Sequence, residues 1–240
     1  LGPPQRYTTT PTPSSVKELK CKFTILDGHS LQCLILDQPI DDRGYVIKAS
    51  QQDTYVTDLI IENNKNVKFL PENTPNVFHN LVRILARNNS IIDVFPNNFE
   101  NLRKLKILNL ADNDLSIIDP EVLQKLPSLE ELILSSNHIP LIINETFNNL
   151  PKLSNLDLSQ NEIIEINPKA FSSLPELRKL SFQDNKILEI PSRLFDENLK
   201  LEDINLSNNK INSIDPHTFR NLPMLKNVKL GENNCISGDY

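Results

Sequence analysis

The stretch Leu153-Ser154-Asn155-Leu156-Asp157-Leu158-Ser159-Gln160-Asn161-Glu162-Ile163-Ile164-Glu165-Ile166 decides how this chain folds. Leu153, Leu156 and Leu158 straddle a short extended segment, and the alternation of a strand turns Leu156 and Leu158 to one side. Asn161 stands where the chain leaves that strand. Ile163 and Ile166 carry the apolar pattern into the return path, and Phe171 and Leu174 close the unit.

The same pattern recurs outward in both directions, and internal periodicity outranks any local reading. Units begin at Val56, Leu81, Leu105, Leu129, Leu153, Leu177, Leu201 and Leu225, with a first step of 25 residues and every later step of 24. An asparagine holds the ninth place at Asn89, Asn113, Asn137, Asn161, Asn185, Asn209 and Asn233. A side-chain amide offers both a donor and an acceptor, so these residues are expected to form a buried ladder that satisfies the backbone of adjacent turns.

One unit cannot fold alone, because the apolar surface it buries falls short of the entropy lost on ordering its backbone. Stacked units share faces. The expected fold is therefore a mixed α/β solenoid, mostly β and irregular, curved like a horseshoe with a parallel sheet on its concave side.

At this point the chain resembles the leucine-rich-repeat family in its 24-residue form with a phenylalanine near the end of each unit, over Val56 to Cys235. Units of this type are similar to those of Toll-like receptor ectodomains, Slit proteins and secreted insect immune proteins. The resemblance implies an extracellular module that binds a protein or microbial ligand, with no catalysis.

Two flanks agree with this. Asp27-Gly28 lies between apolar-containing arms from Cys21 to Cys33, a hairpin signal that brings the two cysteines together. A disulfide-closed N-terminal cap is expected, with two cysteines where the family cap usually has four. Pro39 to Tyr55 is read as a connecting segment with one irregular strand around Tyr45 to Ile47. At the other end, Cys235 stands where Ile163 and Ile187 stand in complete units. Three readings are open for it: a small buried apolar residue, half of a C-terminal cap disulfide whose partner follows Tyr240, or an intermolecular disulfide.

The expected organisation is a disordered Thr/Pro-rich leader over 1–18, a cap and connecting segment over 19–55, seven complete repeats plus one partial over 56–235, and the start of a truncated C-terminal cap over 236–240. Among 240 residues, 38% are hydrophobic and 23% charged, the balance of an ordinary folded chain. The formal net charge is -6. Without a dense basic cluster, nucleic acid is not expected as a partner. No apolar run approaches the length of a membrane span, so no direct membrane insertion is expected.

Catalysis needs converging titratable groups. The histidines His29, His79, His138 and His217 are scattered over the cap and separate units, and Glu130 and Glu131 read as a solvated strand surface. Phosphate-binding and hydrolase motifs are missing, and five glycines leave little for a phosphate cradle. No enzyme activity, cofactor or metal is expected.

Sequons at Asn88, Asn144 and Asn205 are candidate N-glycosylation sites if the chain is exported, with Asn144 the best acceptor because it lies off the strands. The candidate partner site follows from the strand positions that turn away from the core. The first four units place Ile60, Val82, Leu85, Ile107, Ala111 and Ile133 there, bordered by Arg83 and Arg87, whereas the last four are polar apart from Gly231. This asymmetry marks an interaction patch, with self-association as one use of it. The expected function is a secreted recognition module, plausible in insect innate immunity, with the truncated ectodomain of a membrane receptor or adhesion protein as the alternative.

Overall fold

The computed structural model describes residues 16–26, 30–51 and 53–234. Residues 1–15 of the Thr/Pro-rich leader, the Asp27-Gly28 turn with His29, Gln52, and Cys235 with the residues after it lie outside the described residues. The expected disordered leader over 1–18 is too long, since Lys17 and Glu18 are held in a strand paired with Tyr45 and Val46.

The described chain is a β-solenoid of about nine turns, each contributing one short strand to a shared sheet. It begins with β1 (Lys17–Leu19), β2 (Lys22–Leu26), β3 (Ser30–Leu34) and β4 (Tyr45–Ile47). The first repeats supply β5 (Val56–Ile60), β6 (Arg83–Leu85), β7 (Ile107–Asn109) and β8 (Glu131–Ile133). After β9 (Leu141–Ile142) come β10 (Asn155–Asp157), β11 (Glu165–Ile166) and β12 (Lys179–Ser181). The last two are β13 (Asp203–Asn205) and β14 (Asn227–Lys229).

Ten of these strands form one sheet in the order β14-β13-β12-β10-β8-β7-β6-β5-β3-β2. All neighbours run parallel except the β2–β3 hairpin at the edge. A disulfide joins Cys21 to Cys33, as the hairpin reading anticipates. The 37–55 segment does not fold back over the concave sheet. It continues the path of the solenoid, with Ile40 bridged to Val67 and β4 paired to β1.

The core follows from the repeat. Leu153, Leu156 and Leu158 are all at most 2% exposed, and their counterparts in the neighbouring units are equally buried. Phe147, Phe171, Phe195 and Phe219 stack at centroid distances of 5.8, 6.3 and 6.0 Å, one ring per turn. The return side is mostly irregular, with four-residue helices at Thr74–Val77 and Pro120–Leu123, a 3-10 turn at Pro96–Asn98 and the paired strands β9 and β11.

The asparagines close the turns. Asn161 Nδ2 donates to the Leu134 carbonyl of the preceding turn at 2.9 Å and to its own Leu158 carbonyl at 3.2 Å, while its Oδ1 accepts from the Ile139 amide at 3.1 Å. Asn113, Asn137, Asn185, Asn209 and Asn233 repeat this geometry. Asn89 reaches the Ile61 carbonyl at 2.6 Å. One member escaped the sequence reading: Asn64 donates to the Gln38 carbonyl at 2.9 Å and so ties the first repeat to the cap. Its signal was its place, nine residues into the unit that starts at Val56.

The residue before each asparagine takes a left-handed conformation, from Asn63 (φ 60°) and Asn88 (φ 54°) to Asp184 (φ 57°) and Asn208 (φ 53°). Asparagine and aspartate tolerate that region better than other side chains, which accounts for their frequency there.

Candidate binding surface

On the concave face two side chains per strand point away from the core, and the pairing register lines them into rows. One row runs from Leu34 through Ile60, Leu85 and Asn109 to Ile133, and continues as Asp157, Ser181, Asn205 and Lys229. The other runs from Gln32 through Asp58, Arg83, Ile107 and Glu131 to Asn155, Lys179, Asp203 and Asn227.

Ile60, Leu85, Ile107 and Ile133 are half-buried on this face and lie on four neighbouring strands, and Val82, also half-buried, immediately precedes β6. Leu34 extends the patch into the cap, a residue that sequence reasoning missed because only the β3–β5 register puts it beside Ile60. Ala111 drops out, since at 7% exposure it is part of the buried wall.

Both arginines have partners. Arg83 grips Asp58 with two bonds, Nε to Oδ1 at 2.6 Å and Nη2 to Oδ2 at 2.9 Å, and the Asp58 side chain is only 1% exposed. Arg87 Nε lies 3.0 Å from Glu62 Oε1. The forked guanidinium fits the carboxylate in both planes, so Arg83 holds the middle of the patch rigid and is not a free anchor.

The C-terminal half of the same face is a polar groove, lined by Asn155, Lys179, Asp203, Asn205, Asn227 and Lys229 among others. Beside it Glu202 meets Lys226 at 2.5 Å and Arg178 at 2.6 Å. The hydrogen bond from Lys226, seconded by that from Arg178, holds the Glu202 carboxyl below the usual glutamate range.

The sequon residues are placed differently from one another. Asn88 is half-buried and donates to Asn63 Oδ1 at 2.8 Å. Asn144 lies off the strands with its amide 3.3 Å from Glu145 Oε1. Asn205 is on the concave face, where its amide donates to Gln183 Oε1 at 2.8 Å. Among the described residues no group of three or more His, Cys, Asp or Glu side chains could hold a metal ion, and no helix is long and apolar enough to cross a membrane.

Fold and surface together define a curved repeat solenoid whose open face suits recognition. The chain belongs to the leucine-rich repeat family, which it matches over residues 79–139, 142–187 and 175–234. No curated protein matches it. Among solved structures it is similar to one described as "Crystal structure of TLR13-ssRNA13 complex", with a TM-score of 0.70 and 28% identity over 78% of this chain. The chain spans 28% of the length of that relative.

The likeness supports a Toll-like-receptor-type repeat module, and it corrects one expectation. The lack of a dense basic cluster led to nucleic acid being excluded as a partner, yet a chain of this fold is solved in complex with single-stranded RNA. The exclusion does not stand. A single strand is also recognised through its base edges, which a search for dense basic clusters does not register.

Proposed function

We propose that the chain is an extracellular recognition module that grips a protein partner, host or microbial, on the N-terminal half of its concave face, in innate defence. The carrying observation is the run of half-exposed aliphatic side chains from Leu34 and Ile60 through Leu85 and Ile107 to Ile133, at positions where core packing asks for nothing apolar. Val82 flanks the run. Arg83, fixed on Asp58, stiffens its middle, and Arg87, fixed on Glu62, borders it. The Cys21–Cys33 disulfide supports an oxidising, extracellular setting. The same face serves a secreted protein or a receptor ectodomain equally well. The test is loss of partner binding in Leu85→Glu and Ile133→Glu variants that keep the wild-type fold.

A second reading is favoured by the polar half. Lys179 and Lys229 sit among the amides of Asn155, Asn205 and Asn227 and the carboxylates of Asp157 and Asp203, which suits a single-stranded nucleic acid read mainly by its base edges, with the two lysines on its phosphates. Under this reading Lys179→Glu and Lys229→Glu abolish binding of a single-stranded oligonucleotide, and the Leu85→Glu change leaves it intact.

A further inference from the structure

A second surface lies off the concave sheet, on the path that leaves each asparagine. Ile92, Ile117, Leu141, Ile143, Ile164 and Leu188 are 41–55% exposed there, although large aliphatic side chains in this protein are otherwise mostly buried. They fall on five consecutive turns. Ile117 and Leu141 stand one 24-residue repeat apart, as do Ile164 and Leu188, and the two pairs meet where the Ile164 amide donates to the Pro140 carbonyl at 2.9 Å. Strand β11 pairs with β9 along the same face, with Glu165 beside Leu141.

With turns about 4.8 Å apart, the stripe crosses roughly 20 Å of surface. Ile92, Ile164 and Leu188 fall in one row and Ile117 and Leu141 in the row beside it, and with Ile143 they present on the order of a few hundred Å2 of apolar area, the scale on which patches mark interaction sites.

The charges around the stripe are mainly negative. On one flank Asp114, His138, Glu162 and Lys186 form a row one residue per turn. His138 lies 3.0 Å from Glu162 and 3.7 Å from Asp114, and Lys186 lies 2.9 Å from Glu162, so these cations are engaged within the row. On the other flank Glu165 and Glu189 are exposed, and neither has an ion-pair partner among the described residues. The exposed Glu165 and Glu189 call for a partner that brings cations to this flank.

The spacing also selects the form of the partner. One helical turn rises 5.4 Å, close to the separation of successive solenoid turns, whereas alternate residues of a strand repeat at about 6.7 Å. A helix laid across the turns therefore meets roughly one aliphatic side chain per turn. The structure assigns this lateral stripe as a docking site for a cationic amphipathic helix of a partner protein, about 13 residues long.

The test uses the full chain, enzymatically freed of N-glycans because the Asn144 sequon adjoins Ile143. Two fluorescent peptides serve as probes, one with leucine and lysine at helical spacing and one of the same pattern with glutamate for lysine. The lysine peptide is expected to bind in the micromolar range and the glutamate peptide roughly tenfold more weakly or not at all. Ile117→Asn with Ile164→Asn removes binding. Glu165→Lys with Glu189→Lys reverses the preference between the peptides. Leu85→Glu on the concave face changes nothing, which separates this site from the one proposed above. Equal affinity for both peptides, indifference to the Glu165/Glu189 reversal, or sedimentation as a dimer that Ile164→Asn dissociates would overturn the assignment.

Discussion

Asn161 and Leu134 are 27 positions apart in sequence and joined by a 2.9 Å hydrogen bond, from the side-chain amide of one to the main-chain carbonyl of the other. The bond spans two turns, and the Asn161 side chain is 6% exposed. Its loss leaves the Leu134 carbonyl and the Ile139 amide buried without this partner.

Replacing Asn161 by Ala should therefore destabilise the fold by about 1–3 kcal/mol, the cost of stranding buried polar groups. Asn155→Ala, on the half-buried concave strand, should shift the unfolding midpoint far less. Comparable shifts for the two variants in chemical denaturation would count against the ladder as a support of the fold.

The cap offers a covalent test. Cys21 and Cys33 close a short loop, worth roughly 3 kcal/mol in the chain-entropy model. Both thiols should resist alkylation until reductant is added, and the Cys21→Ser/Cys33→Ser variant should melt earlier. Labelling of either cysteine in the untreated protein would sink the pairing.

On the concave face, Leu85→Glu and Ile133→Glu are expected to abolish partner binding with an unchanged circular-dichroism spectrum. Ser159→Glu and Ser181→Glu, on the polar half, should leave a protein partner bound. If the serine variants prove to be the damaging ones, the proposed protein site is in the wrong half.

The Arg83–Asp58 pair predicts a non-additive response. Arg83→Met leaves the buried Asp58 carboxylate without its cation, at a cost of up to ~3 kcal/mol, less than for a fully buried pair because Arg83 itself is 30% exposed. Adding Asp58→Asn should recover part of that loss. A double variant as unstable as Arg83→Met alone would mean that the carboxylate's charge is not what destabilises it.

Glu202 carries a pH signature. Its carboxyl titrates below an ordinary glutamate in the folded state, first because of Lys226 and then Arg178. A depressed carboxylate contributes stability that is complete above the unfolded-state titration and is lost as pH falls through the folded one. Carboxyl NMR titration should show a lowered midpoint, moved upward by Lys226→Met. An unmoved midpoint would rule out Lys226 as its cause.

Several features were legible in the residues because every turn of a solenoid makes the same demand. The 24-residue spacing forces one core face per unit, and the Asp27-Gly28 pair between Cys21 and Cys33 points to a closed hairpin. Asn64 was equally legible, in the ninth place of the unit that starts at Val56. The exclusion of nucleic acid failed because it looked for a dense basic cluster along the sequence, whereas a solenoid sets residues 24 positions apart side by side.

Sequence by itself determined the period, the strand positions and the class of fold, since these depend on interactions repeated between like positions. Tertiary structure alone decided what differs from turn to turn. It put Leu34 of the cap beside Ile60, locked Arg83 onto Asp58 across neighbouring strands, buried Ala111, and left Ile117, Leu141, Ile164 and Leu188 exposed in a pattern where adjacent isoleucines look like core. The reason is geometric. An aliphatic residue is buried or bare according to which way its turn directs it and what the adjacent turn places against it, and neither is encoded at its own position.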